Sequence, residues 1–240
     1  MAEIVARGAK RETRSPLRWL RRAVLVVAGL ALAALAAVLL LGLAYAVVAP
    51  PSTLMLARWA TLRPVERVFV PLDAMGPLPL AVLASEDARF CRHRGVDWDA
   101  LREVVEAADE TGPARGASTI PMQVAKNLFL WHGRSYIRKG LEIPLALYLD
   151  LVWSKRRMME VYLNIAEWGP GVFGAEAAAQ HHFRKPARSL TRQEAALLAV
   201  ALPNPRLRNP GRPSPRLRAL ANRVAARMGP AAALSDCLRG

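Results

Sequence analysis

The sequence predicts a mainly α-helical protein preceded by one N-terminal transmembrane helix. Three observations predict it. No charged residue falls between Ala23 and Ala49. Beyond Pro79, apolar residues recur at helical spacing between capping signals. No convincing run of alternating apolar and polar residues marks a strand.

The apolar stretch is almost entirely Ala, Leu and Val. At about 1.5 Å per helical residue it reaches roughly 40 Å, against about 30 Å of bilayer hydrocarbon. A secretory signal needs a core of only about 7–15 apolar residues, so residues 23–49 read as an uncleaved anchor. Residues 1–22 form a basic tail, with Arg7, Lys10, Arg11, Arg14, Arg18, Arg21 and Arg22 against Glu3 and Glu12. The positive-inside rule puts this tail in the cytoplasm and residues 50–240 beyond the membrane, as a periplasmic domain large enough to bury a core.

The segment from Ser52 to Pro79 sets Leu54, Leu56 and Trp59 among Arg58, Arg63 and Arg67. It suits either a segment touching lipid or an ordinary amphipathic connector. Pro79 fits the first turn of a helix running towards Glu86. Asp97 or Asp99 can cap a second helix carrying Leu101, Val104, Val105 and Ala108. The breaker stretch 111–116 precedes a third, beginning near Ser118 or Thr119.

A fourth helix spans roughly Tyr136 to Trp153, with Pro144 expected to kink it or mark a boundary. A fifth runs from Lys155 to Ala166, with Met158, Val161, Tyr162 and Ile165 inward. Thr191 and Glu194 form a capping box that opens a helix to Leu202. Ser214 and Pro215 start a last helix, with Leu217, Leu220, Ala221, Val224 and Met228 at helical spacing.

The net charge of +15 stays strongly positive after the tail is set aside. A basic domain outside the membrane faces anionic headgroups and phosphates, and the topology excludes nucleic acid. Cys91 and Cys237 are too few for a disulfide framework, and the sequence leaves open whether they pair. His93, His132, His181 and His182 lack ligand spacing with acidic or thiol partners, so no metal site is expected.

Three stretches carry chemistry. Ser85-Glu86-Asp87 through Phe90 and His93 to Gly95 can project one acid from a helix end into a cleft. Ser118-Thr119 is followed by Gln123, Lys126 and Asn127, which share one helical face of amide and ammonium donors suited to a sugar phosphate. Arg138 and Glu142 are a surface ion pair, or else a second carboxylate across a cleft from Glu86, with arginines ready for a pyrophosphate.

Together these stretches resemble glycosyltransferase family 51, the peptidoglycan glycosyltransferases, and within it the monofunctional biosynthetic transglycosylases. Five blocks stand in order: Glu86-Asp87 with Phe90, His93 and Gly95; Gly116-Ala-Ser118-Thr119-Ile with Gln123 and Lys126-Asn127; Arg138-Lys139 with Glu142; Glu160 with Tyr162-Leu163-Asn164, then Gly169, Gly171 and Gly174; and Ala195 to Ala199 with Pro203-Asn-Pro205. The little sequence after the last block leaves no room for a transpeptidase domain, which points to the monofunctional branch.

The resemblance implies a lysozyme-like helical head with a small membrane-proximal lobe, in the cell inner membrane. It implies lipid II and a lipid-linked growing glycan as substrates, beside membrane phospholipid. Glu86 and Glu142 match the catalytic acids, Glu86 as general base and Glu142 as the second acidic residue, which orients the donor or assists the leaving group. Lys126, Arg134 and Arg138 match positions near the phosphates, and Ser118 and Gln123 positions lining the cleft. No cofactor is expected, apart from a divalent cation that the family's pyrophosphate chemistry allows. Other cell-wall synthesis proteins are compatible partners. A lytic enzyme of the same fold and a catalytically silent scaffold are the competing readings. The cations at Lys126, Arg134 and Arg138 favour synthesis, and a scaffold would be marked by the loss of these or of Glu86.

Overall fold

The computed structural model describes residues 16–111, 118–133 and 135–239, with side chains 16–18, 105 and 107–111 also outside the description. It divides into two units, Met1–Leu41 and Gly42–Gly240. The basic tail up to Arg14, the glycine-containing stretch around Gly116, and Arg134 therefore lie outside the described residues, as do the side chains of Val105 and Ala108.

Helix α1 (Pro16–Ala44) contains a 26-residue segment, Trp19–Ala44, of mean hydropathy 3.0, long and apolar enough to cross a membrane. The apolar sequence continues to Ala49, but the helix closes at Ala44. Val47 and Val48 fold back to donate to the Ala44 carbonyl. Pro50 and Pro51 then prevent helical continuation. Arg157 grips the turn, donating from Nε to Tyr45 O (3.1 Å) and from Nη2 to Val48 O (2.6 Å).

The second unit is mainly helical. Its helices among the described residues are α2 (Thr53–Ala60), α3 (Leu78–Glu86), α4 (Trp98–Thr111), α5 (Ile120–Phe129), α6 (Tyr136–Val152), α7 (Lys155–Ile165), α8 (Ala175–Phe183), α9 (Arg192–Ala201) and α10 (Pro215–Ala233). Several begin where a side-chain oxygen satisfies a first-turn N–H: Ser52 for α2, Thr119 for α5, Ser135 for α6, Ser154 for α7 and Ser214 for α10. Asp97 accepts from Ala100 N at 3.1 Å ahead of α4, and the expected capping box opens α9.

Helix α3 is apolar on nearly every side because it packs against both α9 and α10. Helix α5 packs against α6 and α7. One core joins these groups through Phe90, Tyr162, Trp168 and Phe173, all at most 1% exposed.

Pro144 neither ends α6 nor divides it. Its missing N–H would have faced Gly140, and both residues are exposed, so the freed carbonyl lies on the outer side of the helix. The strands that the sequence does not announce are only two or three residues long: β1 (Glu66–Arg67) pairs parallel with β3 (Val172–Phe173), which pairs antiparallel with β2 (Glu167–Gly169). Asn164 fastens the chain beyond β1. Its side chain accepts from Val70 N (3.0 Å) and donates to Val70 O (2.8 Å).

Candidate active site

The site begins where α3 ends. Asp87, at φ −159°, leaves the helix, and the two adjacent carboxylates part company there. Asp87 turns inward, accepting from Ile120 N at 2.9 Å and lying 3.0 Å from His93 Nε2. It thereby joins the end of α3 to the start of α5. Glu86 stays on the cleft side, half-buried.

The loop from Asp87 to Asp97 is fixed from several directions. Cys91 and Cys237 form a disulfide, which settles the pairing that the sequence left open. Lys155 Nζ donates to His93 O at 2.7 Å, and Thr119 Oγ1 donates to Gly95 O at 2.6 Å. Gly95 has φ +76°, and a Cβ there would come within 2.7 Å of Ala146 O. Glycine is required both for the left-handed turn and for the close approach to α6.

Helix α5 brings Gln123 into contact with Glu86 and Lys126 into its field, while Ile120, Val124 and Leu128 are buried. Gln123 Nε2 donates to Glu86 Oε2 at 3.2 Å, and Ser85 Oγ donates to Glu86 Oε1 at 3.2 Å. Burial pushes the Glu86 carboxyl above its ordinary value. The hydrogen bonds from Gln123 and Ser85 and the charge of Arg208 pull the other way, and Asp87 adds to the rise.

Lys126 has no hydrogen bond or ion pair among the described residues. Burial lowers its ammonium below the usual lysine range; the charges of Glu142 and Glu86 oppose the fall, and those of Arg138 and Lys139 add to it. It lies in the field of both predicted carboxylates. A cation left without a fixed partner between two acids is available to an incoming anion.

Behind Lys126 is a compact ionic cluster. Glu142 is 3% exposed and accepts from Arg138 Nη1 and, at 2.8 Å, from Lys139 Nζ. Lys139 also donates to Ser118 Oγ at 2.7 Å, and Arg138 Nε to Gly133 O at 3.0 Å. Of the predicted site residues, the structure joins Glu86 to Gln123 and joins Ser118, through Lys139, to Glu142 and Arg138. Lys126 feels the charges of both groups, and Arg134 lies outside the described residues.

The structure adds residues that the sequence reading passed over. Tyr162 Oη donates to Gln123 Oε1 at 3.0 Å; its inward spacing had placed it with the core side chains. Arg208, in the loop after α9, donates to Val200 O at 2.7 Å and exerts its charge on Glu86. Arg206 acts likewise on His132, whose imidazole is lowered to about 4 by burial and by the charges of Lys126, Arg138 and Arg206. Arg206 follows Pro203-Asn-Pro205 directly and Arg208 lies two residues further on, and that proximity is the signal available in the sequence.

Such an arrangement can serve group transfer: a desolvated carboxylate can take a proton from a hydroxyl, and cations can meet an anionic leaving group. Residues 55–229 match the family model described as Transglycosylase, and the chain belongs to that family. It is 58% identical over 184 residues to the biosynthetic peptidoglycan transglycosylase of Agrobacterium fabrum, covering 75% of this chain and 81% of that protein. The protein of the same name from Brucella suis is 54% identical over 197 residues, covering 82% and 88%. That from Mesorhizobium japonicum is 52% identical over 235 residues, covering 97% and 98%.

Proposed function

We propose that the chain polymerises peptidoglycan glycan strands from lipid II, with Glu86 as the general base. The observation that carries this reading is the division of labour at the end of α3. Asp87 is committed to Ile120 and His93, while Glu86 faces the cleft with Lys126 and Arg208 in its field.

The acceptor's 4-hydroxyl gives its proton to Glu86 as its oxygen bonds to the donor's anomeric carbon. The bond from that carbon to the pyrophosphate breaks, and its electron pair leaves with undecaprenyl pyrophosphate. Attack from the face opposite the leaving group inverts α to β. The hydroxyl is a weak nucleophile, and a positioned base contributes typically about 10²- to 10⁴-fold. Desolvation strengthens Glu86 as a base. The departing pyrophosphate needs cations to meet its growing charge, and Lys126 and Arg138 supply them; the family resemblance assigns Arg134 the same role.

Glu142 has both oxygens occupied by Arg138 and Lys139, so its part is to hold the clamp. Ser118 is tied to the same clamp through Lys139, and Gln123 holds the base. No three or more His, Cys, Asp or Glu among the described residues converge as metal ligands would, so a divalent cation would arrive with the pyrophosphate. No step here runs through one. The anchor α1 directly precedes the domain and keeps it within reach of lipid-linked substrates, with the N-terminus in the cytoplasm and the domain outside the inner membrane. The cleft's cations favour synthesis over cleavage, since a lytic enzyme has no anionic leaving group to hold.

The test is incubation of the detergent-solubilised protein with labelled lipid II, beside a Glu86→Gln variant. Polymer from the wild type and a loss of about 10²-fold or more in the variant are expected. Equal polymer from both would place the base elsewhere. No polymer from the wild type, where another transglycosylase makes it, would overturn the transferase reading.

A further inference from the structure

Tyr162 is 1% exposed on α7, and its hydroxyl bonds to a side chain that itself bonds to the proposed base. We propose that Tyr162 and Gln123 form a two-state relay that gives the Glu86 carboxyl a hydrogen-bond partner both before and after it takes a proton. The inference rests on the reading of Glu86 as general base. Tyr162 and Gln123 are positioning residues in it.

The observed arrangement suits the ionised carboxylate. Tyr162 donates to Gln123 Oε1 at 3.0 Å, which leaves Gln123 Nε2 to donate to Glu86 Oε2 at 3.2 Å. Proton uptake reverses what Glu86 needs. An O–H on Oε2 would point at Nε2, donor against donor. Rotating the Gln123 amide by half a turn presents Oε1 to the new O–H and turns Nε2 towards the phenol oxygen. A tyrosine hydroxyl accepts as well as donates, so the exchange keeps both ends of the amide partnered while the phenol O–H gives up its bond to Oε1. Phenylalanine at 162 would leave one end of the amide without a partner in both states, and an unmet polar group is costly in a buried place.

The relay is carried by helices α5 and α7, which pack against each other, so its geometry is fixed by the core. The other groups facing Glu86 keep their own tethers or positions. Asp87 is held by Ile120 and His93, Arg208 by Val200 O, and Arg89 by Asp97 at 2.8 Å. Lys126 projects from α5 into the same field. Burial, with Glu86 and Asp87 adding to it, pushes the Tyr162 phenol well above its ordinary value and keeps it a hydroxyl. Substitution of Tyr162 or Gln123 leaves those charges in place, so a change in the titration of Glu86 reports the relay.

The test uses the full chain in detergent, with lipid II polymerisation measured across pH for the wild type, Tyr162→Phe, Gln123→Met and the double variant. The relay partners both forms of Glu86, but its bond to the ionised carboxylate is charge-assisted and the stronger, so losing the amide favours the protonated form. The acid limb of kcat/KM should therefore move to higher pH, by about one unit in Gln123→Met. Tyr162→Phe should move it the same way by less, and the double variant no further than Gln123→Met, because Tyr162 acts only through Gln123. An acid limb at the wild-type position in folded Tyr162→Phe would overturn the relay. Should that variant fail to fold, an unmoved limb in Gln123→Met would overturn it equally. Infrared titration of the Glu86 carboxyl, by difference against Glu86→Gln, reads the same ionisation without turnover. Failure to polymerise would thus count against the proposed function, and an unshifted carboxyl against the relay.

Discussion

Replacing Glu142 with Gln removes the one negative charge held among Arg138, Lys139 and Lys126 while keeping the side chain's size. Glu142 is 3% exposed and binds Arg138 through one oxygen and Lys139 through the other. Breaking a buried pair by losing one partner costs about 3–5 kcal/mol. Two features reduce that here. The amide oxygen of Gln can retain one of the cations, and the Lys139 side chain is 38% exposed, where solvent screens it. A loss of about 2–3 kcal/mol follows, or a fall of about 5–10 °C in melting temperature for a domain of this size.

Catalysis should suffer in a particular way. The clamp loosens and Lys126 loses one of its two carboxylate neighbours, so KM for lipid II should rise, about tenfold for each 1.4 kcal/mol of lost grip. The acid limb, set by Glu86, should stay where it is. Tryptophan-fluorescence melting in detergent and polymerisation rates across pH read both effects. Loss of kcat with an unchanged KM and melting temperature would refute this account, because it would make Glu142 a participant in the chemistry.

Lys126→Met should lower kcat by about 10²-fold or more, through loss of a fixed charge at the leaving group. Its melting temperature should hold or rise, since a desolvated cation has gone; a large fall would assign Lys126 to the fold. Arg208→Ala should shift the acid limb upward. Activity is lost as pH falls through the already raised Glu86 value, and the charge that opposes the rise is then missing. An unmoved limb would exclude Arg208 from the site's electrostatics. Cys237→Ser should destabilise the fold by up to about 5 kcal/mol in the chain-entropy model, given a sequence separation of 146 residues, and melting with and without reductant would show it.

Much of the helical framework is legible in the sequence because helix starts are local chemistry. Thr119, Thr191 and Ser214 each cap the N–H of a residue three positions on, and an apolar stripe follows at once. Helix α8 escapes that logic. Its inward face is Ala175, Ala177, Ala178 and Ala179, too small to register as a stripe, and Gly174 before it offers no side-chain cap. The short strands escape because two or three residues show no alternation.

At the site, residue types and spacing place Gln123 and Lys126 on one face of α5, but they do not say which carboxylate of Glu86 and Asp87 turns inward. That choice is made by the N–H of Ile120 and the ring of His93, supplied from elsewhere in the chain. Tyr162 likewise reads as an apolar residue until Gln123 is found against its hydroxyl.

The Cys91–Cys237 bond also sets an order of events in the making of the protein. Cys91 belongs to the loop that carries His93, whereas Cys237 follows α10 in the chain. A ribosome has therefore finished every helix of the domain before the second thiol exists. The loop stays unlocked while α10 is being made, and only a chain that has passed α10 and met an oxidant can close it. The strap thereby marks chains that have been made past α10, and it does so beside the proposed site.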